Sequence, residues 1–226
     1  MQKLTPIQIG PVRLDQPVVL APMTGVTDQP FRTLVRRYGS GLNVTEMIAS
    51  QAAIRETRQS IQKAAWDRLE EPVSMQLVGC TPYEMGEAAR LSQDRGAAII
   101  DINMGCPVKK VVGIGGGSAM MTELDKTAKL VRGMVAAVKI PITAKMRLGI
   151  ADTGKAIDCA RALEGGGIQE LVVHARTKTD GYRPPARWPV VALIRESLRI
   201  PVIANGEVWT VADYHACRQA TGCDDV

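Results

Sequence analysis

The chain has 226 residues, of which 46% are hydrophobic and only one is phenylalanine, so a folded core must be largely aliphatic. No apolar run is long enough to span a membrane, and residues 1–5 carry no secretory signal, which predicts a cytoplasmic protein. Five cysteines without a C-x-x-C pair and two histidines indicate neither a disulfide framework nor a metal site. A formal net charge of +5 mildly favours a polyanionic partner, and nothing in the pattern indicates an oligomer.

Short apolar runs alternate with amphipathic, helix-like segments along the whole chain. Because a chain that crosses back through a helix returns to the same end of the sheet, this alternation predicts parallel strands. Seven or eight such units fit a (β/α)₈ TIM barrel better than a doubly wound sheet. The predicted strands are residues 17–21, 42–45, 73–77, 97–102, 142–146, 170–173 and 200–204, and an eighth begins at Cys223.

Helix start signals separate these apolar runs. Thr81 and Glu84 have the spacing of a capping box, with a proline in the first turn. Thr210 and Asp213 open a second predicted helix in the same way. Apolar residues at helical spacing predict a further helix over residues 126–138.

The last four residues of the chain resemble the first half of an eighth strand, with no closing helix after it. An open barrel would leave an unpaired parallel edge, which is prone to aggregation. The sequence therefore predicts one catalytic domain, residues 1–226, whose barrel is incomplete at strand eight. Sequence downstream of such a chain is expected to restore both the barrel and full activity.

The motif DINMGCP, residues 101–107, follows directly on the apolar run at residues 97–100. A buried strand that ends there releases an amide, a glycine and the thiol of Cys106. A thiol at a strand's carboxyl end can offer a proton or a nucleophile to a molecule bound above the sheet. Free cysteine is also a common inert core residue, so the motif alone leaves both interpretations open.

Polar side chains recur at the ends of the other predicted strands. In a barrel of parallel strands, the carboxyl ends meet on one face and form the active site. Polar residues scattered at random over a surface would not all lie at the same end of each strand. The residues concerned are Met23, Thr24, Glu46, Gln76, Asn103, Cys106, Lys145, Arg147, His174, Arg176, Asn205 and Gly206.

Seven motifs, each at the end of a predicted strand, together resemble the tRNA-dihydrouridine synthase family over residues 18–226. They are LAPMTGVTD (20–28), TEM (45–47), MQL (75–77), DINMGCP (101–107), KMRLG (145–149), VHART (173–177) and IANGE (203–207). The resemblance implies an FMN-dependent barrel that reduces particular D-loop uridines of tRNA, with NADPH as reductant. It also implies a carboxyl-terminal helical domain, which this sequence lacks.

The resemblance assigns the catalytic thiol to Cys106. Reduction of the C5–C6 bond of uracil needs a hydride at C6 and a proton at C5. The family chemistry implies that reduced flavin gives the hydride and that Cys106 gives the proton. A general acid has to be protonated at the working pH, and an ordinary thiol meets this condition near neutrality.

Further positions match the family's flavin contacts. Lys145 corresponds to a lysine against the flavin, where its charge favours the reduced, anionic ring; an ion pair with Asp101 is the alternative. Asn205 and Gly206 correspond to the phosphate side, which the loop after strand eight normally completes. The other matched residues are Pro22, Met23 and Thr24 beside the ring, Gln76 at its edge and His174 at its pyrimidine end.

Asn103, Arg147 and Arg176 are the candidates for recognition of uracil, since a flipped base is read through its edge by amide and guanidinium groups. Salt bridges on the barrel rim are the alternative for both arginines. Glu46 corresponds to an acid near the nucleotide, or it orders neighbouring loops. Candidates for RNA contacts are Lys109, Lys110, Lys178, Arg183 and Arg187, which are otherwise solvated charges, and Tyr182 for stacking.

A glycine-rich segment, residues 113–118, resembles a phosphate cradle but does not open directly off a strand. We interpret it as part of the long loop after Cys106, with glycines that let the loop move when substrate arrives. Two alternatives to the main functional hypothesis remain. One is an FMN-dependent dehydrogenase acting on a free pyrimidine, and the other is a non-catalytic remnant.

Overall fold

The computed structural model describes residues 5–223 and 225–226. Residues 1–4, which belong to the segment without a predicted signal, and Asp224, in the predicted eighth strand, lie outside the described residues. Within the described ranges, no helix combines the length and apolar character that a membrane span requires.

Strands and helices alternate after an amino-terminal hairpin. The strands are β1 (Ile7–Ile9), β2 (Val12–Leu14), β3 (Val19–Leu20), β4 (Leu42–Val44), β5 (Ile48–Ala49), β6 (Val73–Val78), β7 (Ile99–Met104), β8 (Ile142–Arg147), β9 (Leu171–His174) and β10 (Val202–Asn205). The helices are α1 (Gln29–Arg37), α2 (Ser50–Ile54), α3 (Arg58–Ala64), α4 (Pro82–Asp94), α5 (Lys109–Val112), α6 (Leu124–Ala137), α7 (Ala156–Gly166), α8 (Trp188–Ser197) and α9 (Val211–Thr221), with short 3₁₀ turns at Arg68–Glu70 and Gly117–Thr122.

The main sheet is parallel and has the order β3-β4-β6-β7-β8-β9-β10, with β5 added to the end of β6. Beyond β10, Asp225 forms a parallel bridge to Ile203, and the Ala204 amide donates to its carbonyl over 2.9 Å. An eighth parallel strand therefore begins where the sequence predicts one. The expected architecture, an incomplete (β/α)₈ barrel, is confirmed.

Local signals at the helix starts have mixed outcomes. The capping box at the start of α9 is present, because Thr210 Oγ1 accepts from the Asp213 amide and Asp213 Oδ2 accepts from the Thr210 amide. The capping box predicted at Thr81 is wrong, since its side chain makes no cap bond at the start of α4. Glu84 instead accepts from Gln51 Nε2 over 3.0 Å, which removes the second half of the box.

The hairpin β1–β2 closes the amino-terminal end of the barrel, and the sequence pattern did not reveal it. Its buried side chains pack against the residues at which neighbouring strands begin, including Leu42 and Ile99. At its turn, Gly10 has a φ of +54°, and a Cβ there would lie 1.9 Å from Gln169 Oε1. The side chains that form this plug are Ile7, Ile9 and Leu14.

The larger core lies between the sheet and its covering helices and is built from aliphatic and methionine side chains such as Leu77, Met104 and Met134. The single phenylalanine, Phe31, is 37% exposed on α1, as an aliphatic core requires. The amino-terminal end of the barrel and the layer between the sheet and its helices are therefore apolar. The polar side chains are concentrated at the other end.

Candidate active site

The strand register brings the predicted polar residues to one edge of the sheet. Asn103 at the end of β7 pairs with Lys145 in β8. Arg147 ends β8 opposite His174 of β9, and His174 in turn pairs with Asn205 of β10. Because these strands are parallel and end together, their side chains form one polar cluster at the carboxyl end of the barrel.

Cys106 lies on a tight turn just after β7 and is half-buried. Its amide donates to Asn103 Oδ1 over 2.9 Å, and the Gly105 amide donates to the same oxygen over 3.3 Å. On the other side, the Ser118 amide donates to the Cys106 carbonyl over 3.0 Å. Bonds from two directions therefore hold the backbone that carries the thiol.

The glycine-rich loop packs closely against this turn. Gly117 has a φ of +57°, and a Cβ there would lie 2.6 Å from the Cys106 carbonyl oxygen. Gly116 lies near Val78 and Gly79 at the end of β6, where a Cβ would make only ordinary van der Waals contacts of 3.4–3.5 Å. Gly117 permits close backbone packing beside Cys106. The movement of this loop on substrate binding stays a prediction.

A buried chain of hydrogen bonds leads from Asn103 into the barrel. Asn103 Nδ2 donates to Gln76 Oε1 over 2.8 Å, and Gln76 Nε2 donates to Asp101 Oδ2 over 2.7 Å. Thr143 Oγ1 donates to the other carboxylate oxygen, also over 2.7 Å. Burial raises the pKa of Asp101, against the opposing effects of both hydrogen bonds and the charge of Lys145.

Lys145 projects into the same interior. Its Nζ donates to Asn205 Oδ1 over 2.9 Å, so its direct bond is to an amide, and Asp101 acts on it through charge alone. Burial lowers the pKa of Lys145 to about 8, which the negative charge of Asp101 opposes and Arg147 reinforces. The ammonium is therefore charged below about pH 8 and is lost above it.

His174 is a neutral imidazole among cations. Burial, followed by the charges of Lys145, Arg147 and Arg176, lowers the pKa of His174 to about 3. Its Nε2 lies 3.3 Å from Arg176 Nη1, and because a guanidinium only donates, this nitrogen accepts and the ring proton is on Nδ1. Gly206 packs on the ring, since a Cβ there would lie 3.0 Å from His174 Cδ2.

Arg176 is buried and fixed by three bonds. Besides its contact with His174, its Nε donates to the Arg183 carbonyl over 2.9 Å and its Nη2 to Glu207 Oε2 over 2.8 Å. The same Glu207 oxygen accepts from the Ala186 amide. Glu207 has a φ of +65°, a strained value for a non-glycine residue. It belongs to the IANGE motif, yet the sequence interpretation gave it no role.

Arg147 joins the Cys106 turn to the loop after β9. Its Nε donates to the Gly105 carbonyl over 3.0 Å, and its Nη1 donates to the Gly181 carbonyl over 2.8 Å. The guanidinium also lies 5.3 Å from the ring centroid of the exposed Tyr182. The salt bridge that the sequence left open for both arginines is present for Arg176, which pairs with Glu207, whereas Arg147 bonds to backbone carbonyls.

The loop after β3 presents Met23 and Thr24 at the surface and Pro22 half-buried. The Met23 amide donates to Thr27 Oγ1 over 3.0 Å, and the Gly25 amide donates to Glu46 Oε1 over 2.7 Å. Glu46 therefore orders this loop, the second of the two roles considered for it.

A buried ion pair supports the same loop from below. Arg32 Nε donates to Glu70 Oε2 over 2.7 Å, and both side chains are almost completely buried. Arg32 Nη1 donates to the Thr27 carbonyl over 2.9 Å. The loop that contains Pro22–Thr24 is thus also tied to α1 and to the 3₁₀ turn Arg68–Glu70.

A small cavity below the cluster, of about 30 Å³, is lined by Asp101, Thr143, Lys145 and Asn205 among others. A volume of this size holds at most a few water molecules. This cavity is therefore too small for a ring-sized ligand, and its lining includes Lys145 and Asn205 but not Cys106 or His174. The outer basic residues Lys109, Lys110, Arg183 and Arg187 are exposed around this face, and Lys178 is half-buried.

The fold and the site define a class of protein, a barrel of parallel strands with a polar active face at its carboxyl end. A solved structure, that of histamine dehydrogenase from Rhizobium sp. 4-9, has the same fold, with a TM-score of 0.70 and 14% sequence identity. The superposition covers 98% of this chain and 44% of that one.

Sequence comparison makes the identification more specific. Residues 19–226 match the dihydrouridine synthase family. The "Probable tRNA-dihydrouridine synthase" of Rickettsia conorii is 45% identical over 222 residues, which cover 97% of this chain and 67% of the relative. The "tRNA-dihydrouridine synthase B" of Xanthomonas campestris is 41% identical over 221 residues, with 97% and 67% covered.

The chain therefore belongs to the dihydrouridine synthase family, a family of flavin-dependent oxidoreductases, and the resemblance found in its motifs is confirmed. It spans about two thirds of the length of these relatives.

Proposed function

We propose that this chain reduces the C5–C6 bond of D-loop uridines in tRNA, with FMN as cofactor, NADPH as reductant and Cys106 as proton donor. The observation that carries the proposal is a thiol on a doubly held turn, at the same edge of the sheet as a buried ammonium on the next strand and a neutral imidazole one strand further. The names of the relatives from Rickettsia conorii and Xanthomonas campestris support tRNA as the substrate. A tRNA substrate also supports a cytoplasmic location.

The chemistry of the site suits FMN. A charged Lys145 beside a neutral His174 offers one fixed positive charge and one ring nitrogen to the edge of an isoalloxazine, and the charge favours the reduced, anionic form. Gly206, with a φ of +115° and no side chain, leaves its backbone accessible next to His174. We propose that these residues hold FMN together with Gln76, Asn205, Pro22, Met23 and Thr24.

When bound and reduced by NADPH, FMN supplies a hydride, which we assign to C6 of uracil. Cys106 holds the proton for C5 at its Sγ. Asn103 and Ser118 fix the backbone on both sides of this thiol, so its direction of approach is set before substrate arrives. Arg147 keeps the preceding glycine in position through the Gly105 carbonyl.

We assign recognition of the uracil edge to Asn103, Arg147 and Arg176. Asn103 and Arg147 contact the turn that carries the thiol, and Arg176 lies against His174. Each is held by hydrogen bonds, which lowers the entropy lost on binding a base. Tyr182 is exposed against Arg147 and is suited to stack on a nucleotide. The exposed Lys109, Lys110, Arg183 and Arg187, with Lys178, are suited to the phosphates.

The function is tested with the flavin-loaded protein, unmodified tRNA and NADPH in the absence of oxygen. We expect tRNA to drive NADPH oxidation and to gain dihydrouridine, whereas free uracil does neither. Cys80→Ala is the matched control for Cys106→Ala, because Cys80 is an exposed thiol outside the cluster. Reduction of free uracil at a rate equal to that of tRNA would support the free-pyrimidine dehydrogenase instead.

A further inference from the structure

Asp101 is a carboxylate that is only 3% exposed inside the barrel and has no part in the mechanism described above. Its two oxygens accept hydrogen bonds from two neighbouring strands. Gln76 of β6 donates to one oxygen and Thr143 of β8 donates to the other, each over 2.7 Å. A buried carboxylate is costly unless such bonds and a nearby positive charge compensate for its lost hydration. The residue therefore calls for a structural reason.

In the chain of hydrogen bonds that begins at Asp101, the order of donors and acceptors is fixed. Both oxygens of Asp101 accept, one from Gln76 and one from Thr143, so Gln76 turns its NH₂ group to Asp101 and its oxygen to Asn103. Asn103 then donates its own NH₂ group to Gln76, which leaves Oδ1 as the acceptor for the amides of Gly105 and Cys106. The orientation of each amide thus follows from the one before it.

We propose that Asp101 is a positioning residue for the Cys106 thiol, acting through Gln76 and Asn103. The importance of the thiol rests on the proposed function, whereas the chain of bonds does not. With the carboxylate in place, the only orientation that satisfies every donor is the one that gives the Cys106 amide an acceptor.

The effect on catalysis is geometric. Asp101, Gln76 and Asn103 lie on adjacent strands β6 and β7, which are rigid, and the turn that they support is not part of a strand. A displacement of a catalytic group by about 1 Å is enough to cost on the order of 10²-fold in rate. An anchor inside the sheet therefore transfers the rigidity of the barrel to a thiol that lies outside it.

The first test measures hydrogen exchange of the Cys106 amide in a double-mutant cycle of Asp101→Asn and Asn103→Ala. Asparagine has the shape of aspartate but can adopt either amide orientation. We expect Asp101→Asn to speed exchange about 10-fold when Asn103 is present and less than about 3-fold when it is absent. Glu170→Gln, which neutralises another buried carboxylate of the same barrel, is the matched control and should leave this exchange rate within about 2-fold. An unchanged rate in Asp101→Asn, or equal acceleration in both backgrounds, would overturn the proposal.

The second test uses the flavin-loaded enzyme and separates two half-reactions. Oxidation of pre-reduced flavin by tRNA should slow about 10-fold in Asp101→Asn, with an unchanged flavin content. Reduction of the flavin by NADPH does not use Cys106, so it reports any effect of Asp101 through Lys145 on its own. If slowing were confined to the NADPH step, Asp101 would act on Lys145 and not on the thiol. If tRNA failed to oxidise the wild-type flavin, the proposed function would fail while amide exchange still decided the role of Asp101.

Discussion

The two ends of this barrel are built from the same strands but from different kinds of residue. At the amino-terminal end, the hairpin β1–β2 inserts Ile7, Ile9 and Leu14 against the first residues of the strands, and the contact is apolar. At the carboxyl end, the strands carry charged and amide side chains that are linked by a series of hydrogen bonds. Apolar contacts are non-directional, so the amino-terminal end is suited to stabilising the fold. Hydrogen bonds orient the groups that they join, so the carboxyl end is suited to chemistry.

Because of this difference, we expect substitutions at the two ends to affect different properties, stability at one end and reaction rates at the other. Changes in the hairpin should lower the free energy of unfolding and leave the chemistry of folded molecules unchanged. Changes at the carboxyl end should alter rates more than stability.

The largest effect is expected for Cys106→Ala at the carboxyl end. Loss of a general acid should reduce dihydrouridine formation in tRNA by roughly 10²–10⁴-fold. Flavin content should stay near the wild-type value, because the thiol does not hold the cofactor. The measurement is single-turnover product formation beside the flavin spectrum, with Cys80→Ala as the control. Wild-type turnover in Cys106→Ala would exclude this thiol as the proton donor.

Lys145→Met should be nearly as damaging, through the flavin step. Removal of the fixed charge should slow flavin reduction by NADPH on the order of 10²-fold, by analogy with the loss of other preorganised electrostatic groups. Binding of tRNA should change little. Rapid-mixing absorbance gives the first quantity, and a salt titration of tRNA affinity gives the second. A normal reduction rate with weaker, less salt-dependent binding would assign Lys145 to the RNA contacts instead.

The hairpin provides the opposite case. Ile9 is completely buried, and Ile9→Ala should lower the free energy of unfolding by about 2–4 kcal/mol through lost burial and a residual cavity. Turnover per folded molecule should not change. Denaturant unfolding measures the loss, and Leu69→Ala, at a side chain that is 63% exposed, is the control for a substitution with little effect. A large loss of turnover without a loss of stability would show that the two ends are not separable in this way.

The pH dependence of flavin reduction should follow Lys145. Its pKa is lowered to about 8, so the ammonium is present below that pH and is lost as the pH rises through it. The rate should therefore fall about 10-fold per pH unit once the pH is well above 8. The profile should be flat over this range in Lys145→Met. A wild-type profile that shows no fall up to pH 10 would contradict this assignment.

The smallest effect is expected for Lys109→Ala, at the start of α5. An exposed lysine that contacts one phosphate should contribute a few-fold to tRNA affinity and about one unit to the slope of log affinity against log salt. Affinity measured at several salt concentrations provides both values. An unchanged slope would identify Lys109 as a solvated charge.

The carboxyl end of the barrel was largely predictable from sequence. Strands buried on both faces give continuous apolar runs, so their ends are easily located, and residues such as Lys145 and His174 lie in the last residues of those strands. The hairpin was not predictable, because strands of three residues give too little alternation to stand out.

Contacts between residues far apart in the sequence were the other feature that could not be predicted. Thr81 and Glu84 have the right spacing for a capping box. The Glu84 carboxylate instead accepts a hydrogen bond from Gln51, which lies 33 positions away in the sequence. Gln76 and Asn103 were both recognised as site residues, yet their bond to each other depends on strand register. A local pattern does not specify which residues of two strands face each other.

One anaerobic measurement most directly tests the proposal that a hydride from FMN and the proton of Cys106 are transferred to uridine in tRNA. Protein whose FMN has been reduced with one equivalent of NADPH is mixed with unmodified tRNA, and flavin reoxidation is recorded together with dihydrouridine. We expect the flavin to be reoxidised with one dihydrouridine formed per flavin, and we expect almost no dihydrouridine in Cys106→Ala. Reduced flavin that stays reduced with tRNA, or that is reoxidised equally well by free uracil, would contradict it.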